Sequence, residues 1–301
     1  MGFENLENLL SEAKIKYTLN EPMSRHTTFK IGGMADVFVR VNSKEELKTV
    51  ISICKKCGED YFILGKGSNI LVSDKGIDGV VISLDGMNKI SVEGDTIICG
   101  AGANLRNVCL AACDASLTGI EFAYGIPGSV GGALFMNAGA YGGEMSQIVT
   151  EAAAIDSNQN EVNLKISDMK LAYRTSVFKN TNLIITEIKL KLLRGNKGDI
   201  KNRMNDFFSR RREKQPLDYP SAGSTFKRPE GHFAGALIEK NNLKGVSVAG
   251  AQVSEKHAGF IINKNNATCA DVKALIKKVQ ETVKMCDGID LEPEVIFVGR
   301  E

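Results

Sequence analysis

What this chain does not contain narrows it first. No apolar run approaches the roughly 20 residues that a membrane-spanning helix needs. Neither sign of charge dominates: 38 Lys and Arg against 36 Asp and Glu leave a formal net charge of +2, too little for a dedicated nucleic-acid surface. Histidine is scarce. His26, His232 and His257 lie far apart and none belongs to an H-E-x-x-H run, which argues against a zinc enzyme. No G-x-x-x-x-G-K-S/T occurs, and no G-x-G-x-x-G joins a strand to a helix, so neither a P-loop nor a nicotinamide-binding Rossmann unit is written here. The seven cysteines are an odd number, and Cys54-Lys-Lys-Cys57 has no second pair near it. Reduced thiols without metal or redox duty are expected. Residues 1–10 are acidic and periodic, unlike a signal peptide, and Gly2 is followed at position 6 by leucine where acylation wants Ser or Thr. Repeats and low-complexity tails are missing too. The expectation is a cytoplasmic globular protein of ordinary composition, 43% hydrophobic and 25% charged, whose 301 residues make two or three domains.

What the chain does contain is glycine in two concentrated places. Gly125-Ile-Pro-Gly-Ser-Val-Gly-Gly-Ala-Leu-Phe-Met-Asn-Ala-Gly-Ala-Tyr141 holds five glycines, a proline and no charged side chain. Glycine weakens helices and strands alike, but it lets backbone N–H groups come close to a ligand. Gly128-Ser-Val-Gly-Gly132 reads as a turn feeding a helix N-terminus, which offers unpaired donors and a positive dipole end to a diphosphate. A loop packed against the core is the alternative. The second place is Gly65-Lys-Gly-Ser-Asn69, directly between two apolar strands, where backbone amides can again hold phosphate. Together the loops suggest one ligand held twice.

The remaining segments follow in order. Helices are expected over 4–14, from the capping box Ser43/Glu46 to Gly58, over 105–113, 200–213 and 234–241, and from Thr268 to Cys286. Strands are expected at 35–41, 61–64, 70–73, 80–84, 90–92, 96–99, 148–155, 161–164, 183–193, 246–253, 258–262 and 294–298. The fold class is α+β, without strict βαβ alternation. Asn196-Lys-Gly-Asp199 reads as a domain boundary. The basic run Arg210–Lys214 suits either the dipole of its helix C-terminus or an anion site.

Several segments, in order, resemble one family. They are His26-Thr-Thr-Phe-Lys-Ile-Gly-Gly33, Leu64-Gly-Lys-Gly-Ser-Asn69, Gly125–Gly132, Asn137-Ala-Gly-Ala-Tyr141, Tyr173-Arg-Thr-Ser-Val-Phe178, Ala222-Gly-Ser-Thr-Phe-Lys-Arg-Pro229 and Leu291-Glu-Pro-Glu-Val295. From about residue 20 onward they are similar to the UDP-N-acetylenolpyruvoylglucosamine reductases (MurB), flavoproteins of bacterial peptidoglycan synthesis. The resemblance implies a PCMH-type (vanillyl-alcohol-oxidase-like) FAD domain in two subdomains, 1–90 and 91–196. A substrate-binding domain over 197–301 follows, its last strand free to return to the FAD domain. It also implies noncovalent FAD, NADPH as reductant and UDP-GlcNAc-enolpyruvate as substrate, with no nucleic acid, membrane or obligate protein partner. The segment between Arg174 and Ser224 is short and lacks a substrate-covering tyrosine loop, so the chain resembles the shorter type II branch.

Residue roles follow from the matched motifs. Hydride addition to an enol ether beside a carboxylate leaves enolate charge, and preorganised donors are worth on the order of 3 kcal/mol each there. Arg174 matches the family's arginine for that task and Glu294 the glutamate that acts with it. Ser224 matches the proton donor; a hydroxyl suffices because the accepting carbon is strongly basic and geometry matters more than acidity. Gly65, Lys66, Gly67, Ser68 and Asn69 match the flavin diphosphate loop, with Gly128, Ser129, Gly131 and Gly132 from the second loop and Asn137 and Tyr141 beyond it. Lys227 and Arg228 are candidates for the UDP phosphates. Another PCMH-type oxidase would keep the glycine loops without Arg174, Ser224 and Glu294 in these contexts. A bare nucleotide-binding module would need the glycines alone.

Overall fold

A computed structural model of the chain describes residues 3–301; Gly2, set aside above, lies outside them. In chain order the first elements are α1 (Glu4–Glu12), β1 (Tyr17–Pro22), β2 (Met34–Arg40), α2 (Lys44–Cys57), β3 (Tyr61–Leu64), β4 (Ile70–Val72) and β5 (Ile77–Ser83). Then come β6 (Ile90–Glu93), β7 (Thr96–Gly100), α3 (Leu105–Asp114), β8 (Leu117–Thr118), α4 (Val130–Phe135), β9 (Gly139–Ala140) and β10 (Gly143–Glu144). The series continues with β11 (Val149–Ile155), β12 (Glu161–Lys165), β13 (Ile184–Lys191), β14 (Leu193–Arg194) and α5 (Lys197–Lys214). It closes with α6 (Ala234–Lys240), β15 (Ser247–Val248), β16 (Ala251–Val253), β17 (Ile261–Asn263), α7 (Cys269–Asp287) and β18 (Ile296–Val298). Strand β1 pairs with β2.

The chain divides into two compact units, each assembled from separated segments. The first comprises residues 1–17, 39–66 and 81–211. Its antiparallel five-stranded sheet runs β12-β11-β13-β7-β6. Helix α2 starts where the sequence places it: the N-cap Ser43 accepts the Glu46 amide at 3.2 Å, while the Glu46 carboxylate accepts the amide of Asn42, one residue before the N-cap, at 2.8 Å. Gly58, at φ +72, ends it. Leu47, Val50, Ile51 and Cys54 recur at helical spacing and are fully buried, on the helix against which α1 packs. Burial also pushes the Cys54 thiol up to about 12, so it is inert at neutral pH.

The second unit comprises residues 18–38, 67–80 and 212–301. Its core joins Phe29, Ile31 and Leu71 to the buried face of α7 (Val272, Leu275, Ile276, Val279, Val283) and to strands β16 and β17. The capping box Thr268/Asp271 opens α7, and the Asp74 carboxylate takes the next amides, those of Cys269 at 2.7 Å and Ala270 at 2.9 Å. The final strand, β18, pairs in parallel with β4, Ile296 against Ile70 and Val298 against Val72. Arg300 then bonds both Asp36 and Asp78.

Two elements show how the structure differs from the sequence reading. Strand β1 was not expected, because Tyr17–Pro22 shows no alternation and is largely exposed. Helix α5 begins at Lys197, within the expected boundary, since Asn196 caps it by accepting the amides of Gly198 and Asp199. The division between compact units falls at Arg211/Arg212, inside that helix.

Candidate functional site

The loop between β3 and β4 is held open by its neighbours. Gly67 sits at φ +59, and a Cβ there would lie 2.1 Å from the carbonyl oxygen of His26. Only glycine fits this position. The Gly67 carbonyl in turn accepts the Thr28 amide at 3.1 Å. The His26 ring stacks on Phe38 at 4.2 Å and meets Glu21 at 2.8 Å. The Lys66 ammonium lies 3.0 Å from Asp85. The backbone amides of Lys66, Gly67, Ser68 and Asn69 donate to no partner among the described residues. Four consecutive unspent amides beside a lysine form an anion nest.

The second glycine loop uses its backbone differently. Ser129 is the N-cap of α4, its hydroxyl accepting the Gly132 amide at 3.2 Å. The amide of Val130 goes to Ala103 and that of Gly131 to Ala101, both at 2.9 Å. The α4 N-terminus therefore does not offer the row of unpaired donors that its sequence suggested. Among the described residues only the amides of Gly128 and Ser129 are left over in this loop. The two loops nonetheless meet: a Cβ on Gly65 would come within 2.7 Å of the Ser129 hydroxyl oxygen. The open amides from Lys66 to Asn69 have the chemistry that the diphosphate of FAD requires.

Asn137 is buried and spent on the protein itself. Its Nδ2 donates to the Ala172 carbonyl at 3.1 Å and its Oδ1 accepts the Ser146 amide at 2.9 Å. This side chain braces the glycine stretch against the Tyr173-Arg174 segment instead of being free to address a flavin. Tyr141 and Gly142 form the two-residue turn of the β9–β10 hairpin, at φ +54 and +84. The Tyr141 ring stacks on Phe207 of α5 at 4.8 Å, coplanar within 1°. Arg211, one turn further along α5, is buried, points at the same ring and hydrogen-bonds with Tyr141. Burial pushes its pKa down. The basic run thus splits, with Arg211 turned inward and Arg210 paired with Asp206 at 2.8 Å.

In the second unit, backbone pairing brings Ser224, Glu294 and Asn69 together. Phe226 pairs with Pro293 in an antiparallel bridge, so that the Glu294 amide donates to the Thr225 carbonyl at 2.8 Å and the Lys227 amide to Glu292 at 2.9 Å. The Asn69 side-chain amide donates to the Glu294 carbonyl at 3.2 Å. Thr225 is buried, its hydroxyl accepting the Ile261 amide at 3.0 Å, while neighbouring Ser224 is exposed. The Ser224 hydroxyl bonds to no described residue and is available as a donor. Glu294 is half-buried. Arg174 belongs to the first unit, where it sits at φ +54 with Nη2 3.5 Å from the Gly139 carbonyl and its guanidinium 5.1 Å from the Tyr173 ring. Lys227 is engaged with Glu292, and Arg228 lies 4.5 Å over the Phe233 ring.

The residues that the sequence reading passed over are Phe207, His257 and Phe233. Spacing alone could have flagged only Phe207, four residues before Arg211. His257 accepts the Gly259 amide on Nδ1 at 3.1 Å, and burial lowers its pKa. A cleft of about 540 Å³ in the second unit is lined by Lys30, Asp74, Tyr219, Asn263 and Lys264 among others. None of the candidates lines it. Asp74 is spent on the first amides of α7, and Lys264 is bonded to Tyr219 at 2.6 Å.

Comparison with known proteins agrees across sequence and structure. Residues 215–298 match the model for the C-terminal domain of UDP-N-acetylenolpyruvoylglucosamine reductase, and residues 35–164 match an FAD binding domain. The reductase of Caldanaerobacter subterraneus subsp. tengcongensis is 49% identical over 99% of this chain and 98% of its own length. That of Clostridium novyi is 49% identical over 99% of this chain and 96% of its own. The crystal structure of the Thermus caldophilus enzyme superimposes with a TM-score of 0.81 at 32% identity, covering 94% of this chain and 98% of that one. A berberine bridge enzyme variant shares the fold alone, with a TM-score of 0.51 and 18% identity over 64% of this chain and 44% of its own.

Proposed function

Because the chain belongs to the UDP-N-acetylenolpyruvoylglucosamine reductase (MurB) family, we propose the following division of labour among its own residues. The reaction is the NADPH-dependent reduction of the enolpyruvyl group of UDP-N-acetylglucosamine-enolpyruvate to UDP-N-acetylmuramate, a step of peptidoglycan precursor synthesis. Bound FAD would supply hydride transfer from NADPH to the enolpyruvyl group. The short segment between Arg174 and Ser224 fits the type II branch.

The amides of Lys66 to Asn69, with those of Gly128 and Ser129, hold the flavin diphosphate without a covalent link. Ser224 donates the proton to the carbon next to the carboxylate. Glu294 and Arg174 meet the carboxylate and the enolate charge. No helix among the described residues is long and apolar enough to cross a membrane, and we assign the protein to the cytoplasm, where its two small-molecule substrates are its partners. The observation that carries this reading is the hydrogen-bonded ladder Asn69–Glu294–Thr225 in the second unit, which sets the end of the cofactor loop beside two of the three catalytic candidates.

The test is spectroscopic. NADPH added without oxygen bleaches the flavin band of the purified protein, and UDP-GlcNAc-enolpyruvate restores it. Bleaching without recovery removes this substrate. In Ser224→Ala the bleaching step persists and recovery slows by roughly 10²–10⁴-fold, the usual worth of a general acid; recovery at the parent rate removes Ser224 from the role.

A further inference from the structure

Two adjacent threonines between β1 and β2 use their hydroxyls differently. That of Thr27 bonds nearby, to the Ile31 carbonyl at 3.0 Å, as threonine hydroxyls in turns usually do. That of Thr28 reaches 193 residues along the chain and donates to the Ser221 carbonyl at 2.7 Å. Its own position is firm. Thr27 and Phe29 on either side are buried, and the Lys30 amide closes the turn on the Thr27 carbonyl at 3.3 Å. The Asn263 side chain donates to the Phe29 carbonyl at 3.2 Å. Thr28 also spends its amide, on the Gly67 carbonyl at 3.1 Å. One residue therefore holds the cofactor loop through its backbone and the segment leading to Ser224 through its side chain.

A second connection between the same two segments runs through the Glu294 backbone, whose carbonyl accepts the Asn69 side chain at 3.2 Å and whose amide donates to Thr225 at 2.8 Å. The two connections close a frame. The loop is gripped at Gly67 and Asn69, the serine segment at Ser221 and Thr225, and Ser224 stands between the last two. We propose that Thr28 is a positioning residue for the proton donor, its hydroxyl fixing the Ser221 end of this segment so that Ser224 keeps its place relative to the cofactor loop. The idea rests on the role given to Ser224 above and names a residue that acts through it. Ser221 is also bridged to Ile262, with the Asn263 amide on the Pro220 carbonyl at 2.9 Å. That bridge ties the segment to β17, whereas Thr28 refers it to Gly67. Between Ser221 and Ser224 lies Gly223, at φ +78 and with no atom within 4 Å of where a Cβ would stand, so the backbone there has room to turn. The Ser224 hydroxyl bonds to no described residue, and its placement therefore depends on the backbone that carries it. A weak acid that works by geometry is sensitive to such placement.

The experiment follows both half-reactions of the FAD-loaded full chain by stopped flow, for the parent, Thr28→Val, Thr28→Ser, Ser224→Ala, and Thr28→Val combined with Ser224→Ala. Valine keeps the shape of threonine and loses the donor; serine keeps the donor. Thr28→Val is expected to keep its flavin band and bleach with NADPH at the parent rate. Its colour should return with UDP-GlcNAc-enolpyruvate about tenfold more slowly, short of the roughly 10²-fold that an ångström of misplacement can cost. Thr28→Ser is expected to recover as the parent does. Because the hydroxyl acts through Ser224, Thr28→Val should slow recovery no further once Ser224 is alanine. Recovery of Thr28→Val at the parent rate overturns the proposal. So does the same loss in both backgrounds, which puts the work of the hydroxyl elsewhere. Loss of the flavin band, or equal slowing of bleaching and recovery, also overturns it, because the hydroxyl is then a prop of the fold. Failure of the function is read separately. A parent that bleaches and never recovers rejects the reaction and the role of Ser224 with it, whereas a parent that recovers beside an equally fast Thr28→Val rejects only the positioning role.

Discussion

The two glycine loops look alike in sequence and differ in what they do with their amides. In the loop at 65–69, the amides from Lys66 to Asn69 meet no described residue. In the loop at 128–132, three of five are consumed by Ala101, Ala103 and the Ser129 hydroxyl. Glycine therefore has two separate uses here. At Gly67 it permits a left-handed backbone under the His26 carbonyl and leaves the N–H groups facing outward. At Gly131 it permits close docking on residue 101, and the N–H pays the fold back. A glycine-rich run announces close approach, and the destination of each N–H decides whether the visitor is a ligand or the protein itself.

Substitutions can break that contrast. Gly67→Ala is expected to have the largest effect, because the new Cβ meets a carbonyl oxygen at 2.1 Å and the residue must keep φ +59. A cost of about 2–3 kcal/mol corresponds to a melting point lower by roughly 5–10 °C, and the protein should purify without flavin. Full flavin occupancy at an unchanged melting point would show that the loop is not the cradle. Ser129→Ala removes an N-cap and should cost about 1 kcal/mol, read as a drop of roughly 2–4 °C. Loss of flavin affinity by more than tenfold, without that drop, would move the second loop to the ligand side of the comparison. The smallest effect concerns another glycine amide used internally, that of Gly259 on His257. The half-buried ring has its pKa lowered by loss of solvent, so the unfolded chain binds the proton more readily than the folded one. Stability from this group is present above the unfolded value of about 6.5 and declines as pH falls from there toward the lower folded value. His257→Asn keeps an acceptor without the titration, and its denaturation midpoint should be flatter than the parent's between pH 7 and 5.

Much of the fold was legible because local chemistry and tertiary structure agree. Ser43, Glu46 and Gly58 state the limits of α2, and Thr268 with Asp271 states the start of α7. Tyr61–Leu64 and Thr96–Gly100 announce themselves as strands by their apolar, β-branched content. Strand β1 was illegible, since pairing rather than side-chain pattern makes it extended. So was the interleaving of the two units, because sequence order says nothing about which distant segments pack together. At the candidate site, residue types and order singled out Ser224, Glu294 and the loop at 65–69, which the backbone pairing then groups in one place. They could not reveal that Asn137 is committed to Ala172 and Ser146, or that Arg211 turns inward while Arg210 does not. The deciding partners, Ala172 for Asn137 and Tyr141 for Arg211, are dozens of residues away in the chain.

The pairing of β18 with β4 has a consequence for what keeps the loop at 65–69 in shape. Asn69 accepts the Ile296 amide on its carbonyl and donates its side-chain amide to the Glu294 carbonyl, Ser73 donates its amide to Val298, and Arg300 locks onto Asp36 and Asp78. The end of that loop is thus clasped by residues 225 positions away in the chain. Local opening of β18 alone, with every other element intact, takes away the edge on which the segment after Gly67 rests, so the order of this loop follows the stability of a remote strand and not that of its own sequence.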